Sequence, residues 1–393
     1  MADPKNCLPL TRASVVAAHD LVRPNIHRTP VLTNSTLSKL ASTPAQQEGQ
    51  ETTGEGQGKA RPVIRLWFKC ENLQRVGAFK VRGAFHAVER LKADEGWVAG
   101  GGLGRGVVTH SSGNHAQALA LAARESGIPA HIIMPEISAP GKIAATKGYG
   151  ANVIFSGSTS VEREAVAARV MAETGATLVP PYDHPDIILG QGTLGLEFQE
   201  QVEQLMAGAE GDATKVTNGT GGGEAPNGQK KKKGLDAIIT PCGGGGMLSG
   251  VALSCEGTGI WVFGSEPSFQ GADDCRRGLA AGKRVESVST LTVADGLRTP
   301  VGALPWGIIH DRKLVRGVYA VSEEQITAAL RLVLERMKVV VEPSAAVPLA
   351  VVLYNEEFRA LVEREAGPEG WDVGVVFSGG NVGLDNLGRL FAS

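Results

Sequence analysis

Leu235-Asp-Ala-Ile-Ile-Thr-Pro-Cys-Gly-Gly-Gly-Gly-Met-Leu-Ser-Gly-Val-Ala-Leu-Ser254 is the stretch whose reading decides the fold. Residues 235–240 form a short apolar, β-branched run, which predicts a buried strand. Residues 247–254 are long enough and suitably spaced for a helix, and four glycines separate the two. Strand, glycine turn and helix in that order are the unit of a parallel sheet covered by helices. The same alternation extends outward on both sides. Strands are predicted at 63–68, 106–109, 130–134, 152–155, 260–266 and 373–377. Helices are predicted at 80–91, 114–125, 140–149, 160–174, 322–338 and 344–354. The expected fold is α/β: two three-layer units with mostly parallel sheets.

Composition excludes several classes. With 393 residues and 42% hydrophobic content there is enough apolar material for one large or two medium domains. Lys plus Arg number 39 against 41 Asp plus Glu, so no global charge draws the chain to nucleic acid or an anionic membrane. The five cysteines (Cys7, Cys70, Cys242, Cys255 and Cys275) include no C-x-x-C pair and no histidine spacing typical of zinc sites, so a reduced compartment is expected. Cys70 and Cys242 read as buried. No apolar run reaches the roughly 18–20 residues of a membrane span, and residues 1–10 contain no signal-like core. A soluble, cytoplasmic protein is the simplest expectation. Residues 41–60 and 207–234 are polar and glycine-rich and read as flexible surface insertions. The lysines at 230–233 in the second read as a solvated loop rather than a nucleic-acid contact.

Four turns carry candidate chemistry. In Val76-Gly-Ala-Phe-Lys-Val-Arg-Gly83, Lys80 opens a helix, where the dipole disfavours an ammonium; a lysine that works as a neutral amine or Schiff base avoids that cost. In Thr109-His-Ser-Ser-Gly-Asn-His115, residues Ser111, Ser112 and Asn114 are N-cap types that can also hold a carboxylate or ring oxygen. His110 and His115 are five apart, which argues against a metal pair on one helical face. Gly243, Gly244, Gly245 and Gly246 leave backbone N–H groups bare for an anion, with a phosphate as the economical ligand. In Val376-Phe-Ser-Gly-Gly-Asn-Val382, Ser378 presents a neutral hydroxyl at a strand end. Glu266, about twenty residues past the glycine run, imitates the ribose contact of a dinucleotide fold. However, Leu248 or Ser249 stands where the third fingerprint glycine belongs, and no P-loop motif occurs. A nicotinamide-dependent oxidoreductase is therefore the weaker alternative.

One ligand would use all four turns: pyridoxal 5'-phosphate, with an aldehyde for the amine, a phosphate, a phenolic oxygen and a pyridine nitrogen. Together with Gly190-Gln-Gly-Thr193 and Glu342-Pro-Ser344, these motifs resemble the serine racemase and serine/threonine dehydratase family of fold-type-II pyridoxal enzymes. The likeness covers nearly the whole chain apart from the two insertions. It implies a large domain of residues 1–105 plus 184–393 and a small domain of residues 106–183. It also implies that Lys80 holds the cofactor, Phe79 lies along its ring and Asn114 meets the ring hydroxyl. Residues Gly243 to Met247 would hold the phosphate, Ser378 would face the pyridine nitrogen, and Glu342 joins the cofactor-binding set. Ser112 would sit opposite Lys80. A Mg2+ or Mn2+ site of Glu266, the Ala272 carbonyl and Asp274 is implied, with Asp273 a rival to Asp274 because the segment is longer than the racemase pattern. Gln117, Tyr149, Lys338 and Asn381 match positions that contact ATP as an effector, and a homodimer is the usual form.

The implied activity is an ammonia-lyase reaction on small β-hydroxy amino acids, giving a 2-oxo acid and ammonia. The alternative is racemisation of serine, with Ser112 delivering a proton from the face opposite Lys80. Ala78 and the Pro180-Pro-Tyr-Asp-His-Pro-Asp186 segment resemble microbial hydroxyaspartate and serine/threonine dehydratases. Arg163 matches a position able to meet a second substrate carboxylate, and Ser111, His115 and Tyr182 are the remaining candidate substrate contacts. His184 is a candidate for the same border.

Overall fold

The computed structural model describes residues 6–44, 59–111, 113–138, 140–213 and 234–392. Its strands are β1 (Val31–Thr33), β2 (Ile64–Cys70), β3 (Val107–His110), β4 (Ala130–Pro135), β5 (Asn152–Ser156), β6 (Thr177–Leu178), β7 (Ala237–Pro241), β8 (Trp261–Pro267), β9 (Gly317–Val321) and β10 (Trp371–Phe377). They form two sheets, one of six strands in the order β1-β2-β10-β7-β8-β9 and one of four in the order β5-β4-β3-β6. Only β1 runs antiparallel to its neighbour. The α/β class read from the alternation is the class observed.

The helices that position the site are α1 (Arg12–Val22), α2 (Ser35–Ser42), α3 (Lys80–Ala93), α4 (Glu95–Ala99), α5 (Gly102–Arg105), α6 (Asn114–Glu125), α7 (Pro140–Gly148), α8 (Ser160–Thr174), α9 (Pro185–Ala213), α10 (Gly246–Cys255) and α11 (Asp274–Ala281). Further along lie α12 (Ala303–Trp306), α13 (Glu323–Leu332) and α14 (Pro343–Tyr354). Helix α10 is buried along its whole length and α14 from Pro343 to Leu353, which is why their sequences lack a polar face. One apolar core packs α14 against one face of the large sheet. A second packs α9 and α10 against the other, and a third lies between α3, α6 and the small sheet.

Three boundary expectations change. Residues 207–213, read as the start of an insertion, are the last turns of α9, while 214–233, with the lysine run, lie outside the described residues. Ala41 and Ser42 close α2, Ala60 is buried, and 45–58 lie outside the described residues. The helix expected over 322–338 is α-helical only to Leu332 and continues as a π segment, Val333–Met337, ended by Lys338 at φ 60°. Among the described residues no helix is long and apolar enough to cross a membrane.

Candidate active site

Lys80 is the first residue of α3, and its ammonium donates to the Pro181 carbonyl at 2.6 Å while lying 5.2 Å from the centre of the Phe79 ring. Burial lowers its pKa from 10.5 to about 8, and only the Glu342 carboxylate pulls the other way. The turn before it is strained: Val76, β-branched, sits at φ 54°, a conformation that such residues rarely adopt. Two bonds hold it, Asn381 Nδ2 to the Val76 carbonyl at 2.7 Å and Gly380 N–H to the Gly77 carbonyl at 2.9 Å. The Phe79 N–H donates to the Ser378 carbonyl at 3.0 Å, which ties the lysine turn to the end of β10. Ser378 itself is buried.

Asn114 opens α6, but the N-cap is Gly113, which makes no side-chain cap bond. The capping expected of the Ser-Ser-Gly-Asn turn is thus not made by Asn114. Its amide is committed elsewhere: Nδ2 donates to both Glu342 oxygens at 3.0 and 3.2 Å, and Oδ1 accepts from Asn381 at 2.8 Å. Glu342 is buried, and its pKa rises from 4.5 to about 7 through burial and the Asp295 charge. Ser111 Oγ accepts the Gly113 N–H at 3.3 Å, while Ser112 lies outside the described residues. His115 is buried, with Nε2 bonded to the Val179 carbonyl at 3.1 Å and Nδ1 unpartnered; burial, then the Lys80 charge, lower its pKa to about 3, so it is neutral.

The glycine run is a cradle. Gly245 has φ 83° and precedes α10; a Cβ on Gly244 would fall 2.3 Å from the Tyr182 ring. Among the described residues, the amides of Gly243 to Met247 donate to no backbone carbonyl or side chain. Bare N–H groups at the N-terminus of a buried helix, with no side chain in the way, are the donor set that a phosphate requires. The Pro181-Tyr182 segment joins the two halves of the site, since Pro181 meets Lys80 and Tyr182 covers Gly244. Asp183 anchors that segment by accepting the Ala303 and Leu304 N–H groups, both at 2.9 Å. Val76, Pro181 and Asp183 lie in motifs visible in the sequence, but their anchoring roles were not, because they depend on partners more than a hundred positions away.

The other candidates divide. Arg163, on α8, donates to the Ser158 carbonyl at 3.0 Å and is close enough to lower the His110 pKa behind the effect of burial. Glu266 is fully buried at the end of β8 and accepts the Cys275 and Arg276 N–H groups at 3.0 and 2.9 Å. Burial and nearby Cys275 and Asp274 raise its pKa well above the usual range. Asp274 is buried, bonds the Val301 N–H at 3.0 Å and is pushed up to about 6 by burial, whereas Asp273 pairs with Arg277 at 3.0 Å and Arg276 at 3.7 Å. Two crowded, buried carboxylates fit an oxygen-ligated divalent cation; Asp274 is close enough for its charge to raise the Glu266 pKa, whereas Asp273 is taken up by two arginines. Ala272 is buried beside them. Of the ATP candidates, Asn381 is taken up by Val76 and Asn114, Gln117 is buried on α6, Tyr149 lies 5.6 Å under the Arg124 guanidinium, and Lys338 bonds the Glu335 carbonyl. Cys70 and Cys242 are buried, as expected.

Comparison with known proteins points to the same cofactor. Residues 56–379 match the family described as pyridoxal-phosphate dependent enzymes. The chain is 38% identical to the serine racemase of Arabidopsis thaliana over 97% of its own length and 96% of that protein. It is 37% identical to the beta-hydroxyaspartate dehydratase of Paracoccus denitrificans over 96% of its length and 98% of that protein. The solved structure of maize serine racemase superposes with a TM-score of 0.74 at 36% identity, covering 96% of both chains. A lysine amine, bare helix amides and relatives along the full length lead to one conclusion: the chain belongs to the pyridoxal-phosphate dependent enzyme family, with the fold-type-II architecture.

Proposed function

We propose that the protein is an ammonia-lyase that removes water from a small β-hydroxy amino acid, L-serine, L-threonine or threo-3-hydroxyaspartate, and releases a 2-oxo acid and ammonia. The observation that carries this is the half-buried Lys80 amine at a helix start, its pKa lowered to about 8, in a chain whose amides at and just before the start of α10 are unpartnered. Pyridoxal phosphate, when bound, supplies an electron sink that acidifies the α C–H of the amino acid attached to it. The amides of Gly243 to Met247 would hold its phosphate, and Lys80 would be its covalent tether. Phe79 would lie along its ring, and Asn114 and Ser378 would meet the ring oxygen and nitrogen. Because Glu342 and Asn381 occupy both ends of the Asn114 amide, they fix which atom of Asn114 can turn to a ligand.

The Lys80 amine would serve as the base for the α-proton of the bound amino acid. A pKa near 8 leaves a useful fraction of free amine at neutral pH, where an ordinary lysine offers almost none. Ser378 is a hydroxyl rather than a carboxylate and brings no charge to the pyridine nitrogen. Such a neutral partner would leave bound pyridoxal phosphate a weaker electron sink, which would favour loss of the β-hydroxyl. Ser111 and Ser112 would hold the substrate carboxylate; His115 and Tyr182 would border it, and Arg163 would meet a second carboxylate.

Serine racemisation is the second reading, supported by relatives of that name at 37–38% identity; it would use Ser112 as the acid on the opposite face. Mg2+ or Mn2+ held by Glu266, the Ala272 carbonyl and Asp274, ATP at Gln117, Tyr149, Lys338 and Asn381, and a cytoplasmic homodimer complete the proposal. The test is incubation with L-serine, D-serine, L-threonine and L-threo-3-hydroxyaspartate, measuring keto acid and enantiomer composition. Keto acid is expected to dominate, and D-serine accumulating faster than pyruvate from L-serine would overturn the lyase assignment.

A further inference from the structure

We propose a second metal site, for Zn2+ or a similar thiophilic divalent ion, built from Cys7, His184 and Asp186 at the start of α9. Donor atoms of the three residues lie within 4.8 Å of one another. Cys7 Sγ is 3.4 Å from Asp186 Oδ2, and His184 Nδ1 is 3.9 Å from the same oxygen. Tetrahedral zinc with bonds of about 2.0 Å to oxygen and nitrogen and about 2.3 Å to sulfur has ligand-to-ligand edges of about 3.3–3.5 Å. The Cys7–Asp186 edge already has that length, the His184–Asp186 edge is about half an ångström longer, and the third edge is within 4.8 Å, so small side-chain rotations close the triad on an ion.

Thiol, imidazole and carboxylate are the ligand types that zinc prefers. His184 Nδ1 accepts the Asp186 N–H at 3.2 Å, so that nitrogen already carries its lone pair rather than a proton. An ion would take over that lone pair. A separate observation points to a missing ligand. Asp186 is 2% exposed, yet its Oδ1 has no hydrogen-bond partner, the nearest cation being Arg90 Nε at 3.8 Å, itself unbonded. Buried carboxylate oxygens are rarely left so. The carboxylate and Cys7 open onto a cavity of about 260 Å3 lined also by Asn6, Arg90 and Asp94, through which an ion and a fourth ligand, water, can enter. Two anionic ligands and Asp94 balance the ion and Arg90.

Binding breaks the Cys7 S–H bond and forms a sulfur–metal bond, with the proton released to solvent and no change in oxidation state. Sequence spacing could not show this site, since Cys7 and Asp186 are 179 positions apart. Its effect would be to pin the residues before Arg12 to the segment that carries Pro181 and Tyr182, which contact Lys80 and Gly244.

The test uses full-length holoenzyme, dialysed against excess Mg2+ to keep oxygen sites filled, loaded with Zn2+ and desalted. Elemental analysis should find one zinc per chain in the wild type and in Cys242→Ser, and none in Cys7→Ser or Asp186→Asn. The Cys242→Ser control addresses a second buried cluster of Cys242, Glu266 and Cys275. Should Asp186→Asn fail to fold, the wild type and Cys7→Ser still decide. Zinc should also slow alkylation of Cys7 by iodoacetamide at least tenfold, read by peptide mass spectrometry on the wild type. Zinc absent from the wild type, retained by Cys7→Ser, lost from Cys242→Ser, or without effect on Cys7 alkylation would each overturn the proposal. None of these readouts depends on turnover.

Discussion

Glu342 shows how one buried side chain can set a pH profile. Its pKa rises from 4.5 to about 7, so between those values the folded protein holds a proton that the unfolded chain has lost. Stability therefore falls as pH rises through that window, by at most about 3.5 kcal/mol at about 1.4 kcal/mol per unit. In cofactor-free protein, Glu342→Gln should flatten this part of the urea-midpoint profile, and an unchanged slope would remove Glu342 as its source. His115 acts in the opposite sense. Its neutral form is favoured down to a pKa of about 3, so its contribution is complete above pH 6.5 and is lost as pH falls below that value. The neighbouring aspartates differ as sharply. With Asp273 held by two arginines and Asp274 turned inward, Mg2+ should raise the melting temperature of the wild type and of Asp273→Asn, but not of Asp274→Asn. The reverse pattern would reassign the ligand.

At the scale of elements, a buried ionic network fastens β2, α3 and α9 together beneath the site. Arg82 donates to both oxygens of Glu71 at 2.8 Å and to Glu197 at 3.1 and 3.3 Å; Lys69 meets Glu197 at 2.5 Å and Gln201 at 2.6 Å. All four charged groups are buried. Removing one charge leaves others uncompensated in a low dielectric, which costs about 3–5 kcal/mol. Arg82→Met should lower the unfolding free energy by that amount in urea denaturation, and a change below 1 kcal/mol would show that the network is dispensable. These pairings could not be read from local sequence, since Glu71, Arg82 and Glu197 lie on three separate segments. Strands and helices that are locally periodic were legible: 114–125 and 160–174 match α6 and α8. Helix α9 was not, because burial along most of its length erases the polar face that periodicity needs. Asn114 makes no N-cap bond for a related reason: it is the first residue inside the helix, and its acceptor oxygen takes the Asn381 amide, a tertiary partner.

Across the whole molecule, the site exists only where the two sheets meet. Lys80 and Gly243 to Met247 stand at helix starts after β2 and β7 of the large sheet, while Asn114 follows β3 of the small one. Residue types and order at the glycine turn and Ser378 were readable because each directly follows a strand end, where parallel α/β folds place ligands, and the lysine turn because Lys80 opens a helix. The partners that orient them, Pro181, Glu342 and Asn381, come from distant stretches and become visible only in three dimensions. The covalent attachment at Lys80 is the claim that the proposed chemistry requires. Borohydride reduction of the pyridoxal-phosphate-loaded protein, followed by peptide mass spectrometry, tests it most directly. The expected result is a reduced pyridoxyl adduct on Lys80 in the wild type, with no such adduct and no turnover in Lys80→Ala. An adduct at another lysine, or full turnover by Lys80→Ala, would contradict it.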